Sequence, residues 1–180
     1  RANDIIMRHL RATGHPILSE EGPLPDYEER KNWPGLWVVD PLDGTSEFLK
    51  RNDEFTVNIA WVQNGRPMAG VIYLPVTHTL YFGMEGMGAF KVGDVTVAKS
   101  EEELIRAAQR LPIEKQHEGF VVVASRSHLS GETEAYIDLL RKDHPDLSLI
   151  SAGSSMKLCR VAEGSADVYP RFAPTMEWDT

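Results

Sequence analysis

The stretch Trp37-Val-Val-Asp40-Pro-Leu-Asp43-Gly-Thr45-Ser-Glu-Phe48 organises the rest of the chain. Its apolar start predicts a buried strand, and Pro41 and Gly44 mark a turn after that strand. Asp40 and Asp43 are therefore expected at the carboxyl end of the strand. Two carboxylates three residues apart on a tight turn repel each other unless a cation lies between them. The stretch thus predicts a site for a hard divalent ion.

The composition predicts a globular protein of the cytoplasm. The 180 residues, of which 42% are hydrophobic, are enough for one large domain or two small ones. We find no apolar run of about 18 residues and no signal peptide, so no membrane insertion is expected. The single Cys159 excludes an intrachain disulfide. A net charge of −8 argues against a protein that binds long nucleic acid, although it is compatible with a small phosphorylated ligand.

Periodicity predicts an α+β first half and an α/β second half. In the first half we expect helices over 3–12, 46–51 and 100–110, an exposed loop over 23–35, and strands over 16–18, 36–39, 55–62, 68–74, 79–83, 88–92 and 94–98. In the second half, helices over 131–142 and 155–163 alternate with strands over 119–124, 147–151 and 165–169. The chain starts inside a helix and stops directly after an acid, so we expect a fragment that is truncated at both ends.

Four acids are candidate metal ligands. Each of them follows a short apolar or aromatic stretch of sequence. They are Glu20, Asp40, Asp43 and Asp179. Magnesium prefers oxygen ligands and is usually held by a few carboxylates together with substrate phosphate oxygens. Solvated turn acids are the alternative, because Asp is common in turns.

Gly44-Thr45-Ser46 is a candidate anion site beside those acids. If a helix starts here, its free N–H groups and the positive end of its dipole favour a bound phosphate. The Thr45 hydroxyl can also orient an attacking water, although Thr45 and Ser46 could simply cap the helix. A metal ion lowers the pKa of a bound water and stabilises a leaving oxygen, so the pattern indicates metal-assisted hydrolysis of a phosphate ester.

Several motifs together resemble the lithium-sensitive inositol monophosphatase superfamily over essentially the whole chain. The superfamily's metal-binding motifs are matched by Leu18-Ser-Glu20-Glu21, Asp40-Pro-Leu-Asp43-Gly-Thr45 and Trp178-Asp179. The more specific motifs look like the 3'(2'),5'-bisphosphate nucleotidase branch, of the CysQ type; they are Asp43 to Arg51, Phe55 to Ile59, Ser125 to His128, Gly153 to Lys157 and Tyr169 to Arg171. The resemblance implies a layered αβαβα sugar-phosphatase fold.

The resemblance also implies a role for individual residues. Two or three Mg²⁺ ions would be held by Glu20, Asp40, the backbone carbonyl of Leu42, Asp43 and Asp179. Catalysis would involve Thr45, Glu20 and Asp43, and the amides of Gly44 and Thr45 would bind the scissile phosphate. The nucleotide and its second phosphate would contact His128, Ser154, Lys157 and Arg171. On this basis residues 1–105 form a subdomain with the metal site, and 106–180 form an incomplete one with nucleotide-binding residues.

The implied activity is Mg²⁺-dependent removal of the 3'-phosphate from adenosine 3',5'-bisphosphate, which links the protein to sulfur metabolism and to lithium inhibition. An inositol monophosphatase or a broad sugar phosphatase on the same scaffold is the alternative. A second alternative, from a different functional class, is a metal-binding or nucleotide-binding module without catalytic activity. Read from the residues alone, Ser154 to Lys157 could also be an ordinary capped helix with a surface lysine. The oligomeric state stays open.

Overall fold

The computed structural model describes residues 1–96, 100–114, 117–125 and 130–179. Seven strands form one mixed sheet in sequence order; they are β1 (Ile17–Ser19), β2 (Gly35–Asp43), β3 (Thr56–Gln63), β4 (Arg66–Leu74), β5 (Thr79–Met84), β6 (Gly88–Val92) and β7 (Gln109–Arg110). β1 is parallel to β2, and every later pair is antiparallel. This sheet is the predicted meander.

A second, parallel sheet pairs β8 (Val121–Ser125) with β9 (Ser148–Ala152). The helices are α1 (Ala2–Arg11), α2 (Tyr27–Arg30), α3 (Thr45–Lys50), α4 (Glu101–Ala107), α5 (Gly131–Asp143) and α6 (Met156–Glu163), and a 3₁₀ turn covers Glu177–Asp179. Because α5 connects two parallel strands, the second half is the predicted α/β unit. No helix within the described ranges is long and apolar enough to cross a membrane.

Local sequence accounts for several boundaries. Asn64 and Gly65 both have positive φ, at 51° and 72°, as a type I′ hairpin between β3 and β4 requires. Ser100 and Glu103 form a capping box at the start of α4. Gly164 ends α6 in the left-handed region, at φ 84°.

Five predicted boundaries were wrong. The segment 23–35 contains α2, whose single turn is too short to show a period. The helix predicted over 100–110 ends at Ala107, and Gln109–Arg110 pair with β6 instead. Residues 94–96 are outside the strands, while 97 and 98 lie outside the described residues. Residues 165–169 contribute only a bridge between Val168 and Val122. Finally, β2 continues past Pro41 to Asp43.

α6 lies between the two sheets and connects them. Its Cys159 packs against Leu74 and Tyr81 of the large sheet, while its Val161 packs against Val121 and the neighbouring core of the second sheet. The first residues of α6 therefore lie close to both halves of the fold. The division into two subdomains at residue 105 stays a prediction, and the large sheet itself extends to Arg110.

Candidate active site

A bulge in β2 brings Asp40 and Asp43 together. Asp40 pairs with Asn58 and Asp43 pairs with Thr56, so three steps along β2 face only two steps along β3. On a regular strand, residues three apart point to opposite faces. The extra residue changes the direction of the later side chain, and both carboxylates reach one point. The predicted convergence is present, although its origin is a bulged strand end rather than a tight turn.

Three carboxylates meet at this point. Asp40, Asp43 and Asp179 each offer one oxygen, and these atoms all lie within 4.8 Å of one another. Asp40 is the most buried, with 2% of its surface exposed, and its Oδ1 accepts a 3.0 Å hydrogen bond from the Leu42 N–H. We call these three residues the acid trio.

Glu20 stands beside the acid trio at the end of β1. Its N–H donates to the Val39 carbonyl over 3.2 Å, and its carboxyl forms a hydrogen bond with Asp40. Burial, this hydrogen bond and the charge of Asp43 raise the pKa of Asp40 to about 8, against the lowering effect of the Leu42 N–H. Such crowded carboxylates are stabilised when a divalent cation shares them, and oxygen donors are the ligands that Mg²⁺ prefers. The donor set therefore fits a Mg²⁺ site.

The 3₁₀ turn at Glu177–Asp179 presents the third acid of the trio. Asp179 Oδ2 accepts hydrogen bonds from Thr175 Oγ1 at 2.8 Å and from the Met176 N–H at 3.0 Å. The turn packs against β2. Asp179 is thus oriented by its own segment and is brought to the site by the contact of that segment with the strand.

Asp43 is held by residues from β3 and from the start of α6. Its Oδ2 accepts hydrogen bonds from the Ser155 N–H at 2.6 Å, and from Thr56 Oγ1 and Asn58 Nδ2 at 3.3 Å each. The Ser155 hydroxyl bonds Thr56 Oγ1 at 2.7 Å and Asn58 Oδ1 at 2.9 Å. Three donors on one oxygen fix the orientation of the carboxylate. The network joins β2 and β3 to the start of α6.

The turn after Asp43 depends on a glycine. Gly44 is the N-cap of α3 with φ 88°, and the helix has no side-chain cap. A Cβ at Gly44 would lie 3.0 Å from the Glu54 carbonyl and 3.2 Å from the Ser154 Cβ. Thr45 does not cap the helix, since its hydroxyl donates to the Leu42 carbonyl at 3.3 Å. Capping of α3 by a Thr45 or Ser46 side chain is therefore ruled out.

Two cationic side chains, those of Lys157 and Arg171, also belong to the site. Lys157 is 5% exposed, so it is not the surface lysine of the alternative interpretation. Burial lowers its pKa, and the charge of Asp43 offsets part of that lowering. Its ammonium group lies 5.4 Å from the centre of the Tyr169 ring and donates to the Ser154 carbonyl. Arg171 is exposed and donates to the Tyr169 hydroxyl at 3.2 Å.

One cavity of about 440 Å³ brings these groups together. Its lining contains every predicted site residue that the structure describes, namely Glu20, Asp40, Leu42, Asp43, Gly44, Thr45, Ser154, Lys157, Arg171 and Asp179. His128, predicted as a nucleotide contact, lies outside the described residues. The cavity therefore combines a cluster of carboxylates with two cationic side chains, a set of groups suited to a metal centre and to a ligand that carries two phosphates.

Sequence reasoning assigned no individual role to Thr56, Asn58 or Tyr169, and it placed Ser155 only at the start of a helix that could bind an anion. A signal for the first two was available, because they are polar residues at alternate positions of an otherwise apolar strand, opposite Asp43 and Asp40. Their partner Ser155 is almost a hundred residues away in the chain, and no local pattern encodes that contact.

Comparison with known proteins agrees with this geometry. The model of the inositol monophosphatase family matches residues 1–180, the whole chain. The chain is 44% identical over 181 residues to the 3'(2'),5'-bisphosphate nucleotidase CysQ of Shigella flexneri and 42% identical to that of Escherichia coli K12, with 99% of the chain covered in each case. It spans 66% of the length of these curated relatives.

Solved structures give the same fold. The crystal structure of CysQ from Bacteroides thetaiotaomicron, described as a bacterial member of the inositol monophosphatase family, superimposes with a TM-score of 0.93 at 54% identity. The match covers 98% of this chain and 66% of that one. Mycobacterium tuberculosis SuhB superimposes with a TM-score of 0.69 at 24% identity over 98% of this chain and 65% of its own. The predicted inositol monophosphatase-like fold is confirmed, and the chain belongs to the inositol monophosphatase family.

Proposed function

We propose that this chain carries the active site of a Mg²⁺-dependent phosphomonoesterase that converts adenosine 3',5'-bisphosphate into AMP and phosphate. The observation that carries the proposal is that the acid trio, Lys157 and Arg171 line a single cavity. The bisphosphate nucleotidase relatives support the same substrate class. We further propose that the protein acts in the cytoplasm.

The metal would be held by oxygen atoms that the fold already gathers. The proposed ligands are Glu20, Asp40, the Leu42 carbonyl, Asp43 and Asp179, which would hold two or three Mg²⁺ ions. Bound Mg²⁺ would lower the pKa of water and stabilise charge on the leaving oxygen. The proposed ligands come from β1, the bulge in β2 and the 3₁₀ turn, so an ion there would also tie these elements together.

Thr45 and Glu20 would prepare the attacking water. Because the Thr45 hydroxyl gives its hydrogen to the Leu42 carbonyl, its oxygen lone pairs can accept a hydrogen bond from water. Glu20 is exposed on the cavity wall and would take the proton as general base. The water oxygen then bonds to phosphorus in line as the bond to the 3'-oxygen breaks, and the 3'-oxygen leaves with a proton from solvent. The amides of Gly44 and Thr45 would hold the phosphate oxygens.

Lys157 and Arg171 would select the nucleotide by its second phosphate. A buried ammonium interacts more strongly with an anion than an exposed one does, because little water screens it. Arg171 adds planar donors suited to phosphate oxygens. Ser154, whose carbonyl already holds the Lys157 ammonium, and His128 would complete the nucleotide contacts.

Steady-state kinetics with two substrates test the proposal. We expect Arg171→Gln to raise KM for adenosine 3',5'-bisphosphate about tenfold or more, since a charged contact to phosphate is worth about 1.5–3 kcal/mol. The KM for adenosine 3'-monophosphate, which lacks the second phosphate, should hardly change. Arg171 is exposed, so the variant is expected to fold, and Arg141→Gln on the exposed face of α5 is the matched control. Equal losses on both substrates would contradict the assignment.

A further inference from the structure

An ion pair between distant parts of the chain lies behind the acid trio. Arg30, the last residue of α2, donates from Nη1 to Oε1 of Glu177, the first residue of the 3₁₀ turn. The two residues are 147 positions apart. Neither is among the residues that line the cavity. The pair connects the segment between β1 and β2 to the turn that presents Asp179.

The position of Asp179 depends on the contacts that hold the 3₁₀ turn as a whole. The Asp179 carboxylate lies within 4.8 Å of those of Asp40 and Asp43, and carboxylates at this distance repel one another. The hydrogen bonds from Thr175 and Met176 fix Asp179 only relative to its own segment. Packing against β2 holds the turn as a whole, and the ion pair from Glu177 adds a directional contact to it.

Arg30 is built to provide that contact. Its side chain is 17% exposed, and its guanidinium lies 5.4 Å from the centre of the Tyr27 ring. Its Nε atom is buried and has no hydrogen-bond partner among the described residues. The Glu177 side chain, which is 49% exposed, is the more accessible member of the pair. A partly desolvated guanidinium depends on its anionic partner, because a partly buried charge that loses its partner costs more than an exposed one does. The Glu177 carboxylate is that partner.

We propose that Arg30 and Glu177 are a positioning pair that sets the place of Asp179 in the metal site. The pair therefore determines the affinity for Mg²⁺, not the recognition of the nucleotide. The inference rests on the proposed metal site and deepens it. It assigns a role to two residues that touch neither metal nor substrate.

Manganese binding measured by electron paramagnetic resonance tests the pair, because free Mn²⁺ is counted directly and no turnover is needed. The variants are Arg30→Gln, Glu177→Gln and the double variant, made in the full chain. We expect each single variant to bind Mn²⁺ about tenfold more weakly, because the loss of a residue that supports metal ligands has an effect of this size at other metal sites. The Mg²⁺ concentration needed for half-maximal phosphate release should rise by about the same factor. The kcat at saturating Mg²⁺ and the KM for the nucleotide should stay near the wild-type values.

The double variant separates a pair from two unrelated effects. The effects of substitutions at two residues that act through one contact are not additive. The double variant should therefore bind Mn²⁺ no more weakly than whichever single variant has the lower Mn²⁺ affinity. Arg141→Gln and Asp138→Asn, which break the exposed ion pair on α5, are the matched controls and should leave binding unchanged.

Two results would overturn the inference alone. They are wild-type Mn²⁺ affinity in folded single variants, or fully additive losses in the double variant. A wild-type protein that binds no Mn²⁺ would overturn the inference and the proposed metal site together. A wild-type protein that binds Mn²⁺ without releasing phosphate from the nucleotide would contradict only the proposed reaction. The Mn²⁺ affinities of the variants would still test the role of the pair.

Discussion

The backbone N–H of Ser155 donates a 2.6 Å hydrogen bond to Oδ2 of Asp43. This contact links the bulged end of β2 to the residue that immediately precedes α6. Because Lys157 is in the first turn of the same helix, the proposed metal ligand and the proposed phosphate-binding cation are held at a fixed separation. A fixed separation suits a ligand that carries two phosphates on one ribose.

Replacement of Asp43 by asparagine tests the requirement for charge. The amide oxygen that the substitution introduces can still accept the Ser155 N–H, so Asp43→Asn should keep the fold. It removes one negative charge from the proposed metal site, and we expect the rate of phosphate release to fall by at least about 100-fold. Circular dichroism and the Tm check the fold. A folded variant that keeps a large part of the wild-type rate would argue for a different metal site.

Replacement of Ser155 by alanine tests the network behind Asp43. The buried hydroxyl of Ser155 bonds both Thr56 and Asn58, and its loss leaves two polar groups without that partner. We expect Ser155→Ala to lower the free energy of unfolding by about 1–3 kcal/mol. Urea unfolding measures the change, and Ser148→Ala on an exposed position of β9 is the control. Equal effects of the two substitutions would contradict the network.

Replacement of Gly153 by alanine tests the close packing beneath the cavity. A Cβ at Gly153 would lie 2.7 Å from the Glu47 Cγ and 2.9 Å from the Glu54 carbonyl. We expect Gly153→Ala to cost about 1–3 kcal/mol of stability, as overpacking usually does. Gly131→Ala is the matched control, because no heavy atom lies within 4 Å of its Cβ. Thermal unfolding of both variants measures the difference, and similar Tm values would be evidence against this packing.

The surroundings of Glu163 predict how the stability of the protein depends on pH. Burial alone would raise the pKa of this carboxyl, but hydrogen bonds from Lys91, Tyr81 and Ser165 lower it below its usual value of 4.5. A group with a depressed folded-state pKa stabilises the protein above its unfolded pKa, and that stabilisation is lost as the pH falls through the folded value. We therefore expect the stability difference between wild type and Glu163→Gln to be constant at neutral pH and to shrink below about 4.5.

Urea unfolding of wild type and Glu163→Gln across this pH range measures the effect. The comparison cancels the contributions of other carboxylates, since both proteins share them. A difference that does not depend on pH would show that Glu163 keeps the same protonation in the folded and unfolded states.

Sequence reasoning predicted the parts of this structure that local patterns encode. The apolar run before Asp40, the hairpin at Asn64-Gly65 and the stop of α6 at Gly164 are all decided by neighbours in the chain. The one-turn helix α2 and the two-residue strand β7 are too short to carry a period. The bulge in β2 was missed because register depends on β3, which the pattern of β2 alone does not contain.

The candidate ligands were recognisable from the sequence, but the residues that support them were not. Glu20, the acid trio and Lys157 were recognisable as candidates because their motifs are local. The burial of Lys157 follows from the position of α6 between two sheets. The contacts of Ser155 with β3 and of Arg30 with Glu177 join residues about a hundred or more positions apart. Only the folded chain shows which side chains hold the acids in place.

The most direct test of the central claim is phosphate release by the purified full chain from adenosine 3',5'-bisphosphate and from inositol 1-phosphate, each with Mg²⁺ and with a chelator. The account predicts release that requires Mg²⁺, AMP as the nucleotide product, and a higher kcat/KM for the nucleotide. A higher kcat/KM for inositol 1-phosphate, or release from the nucleotide that the chelator does not affect, would contradict it.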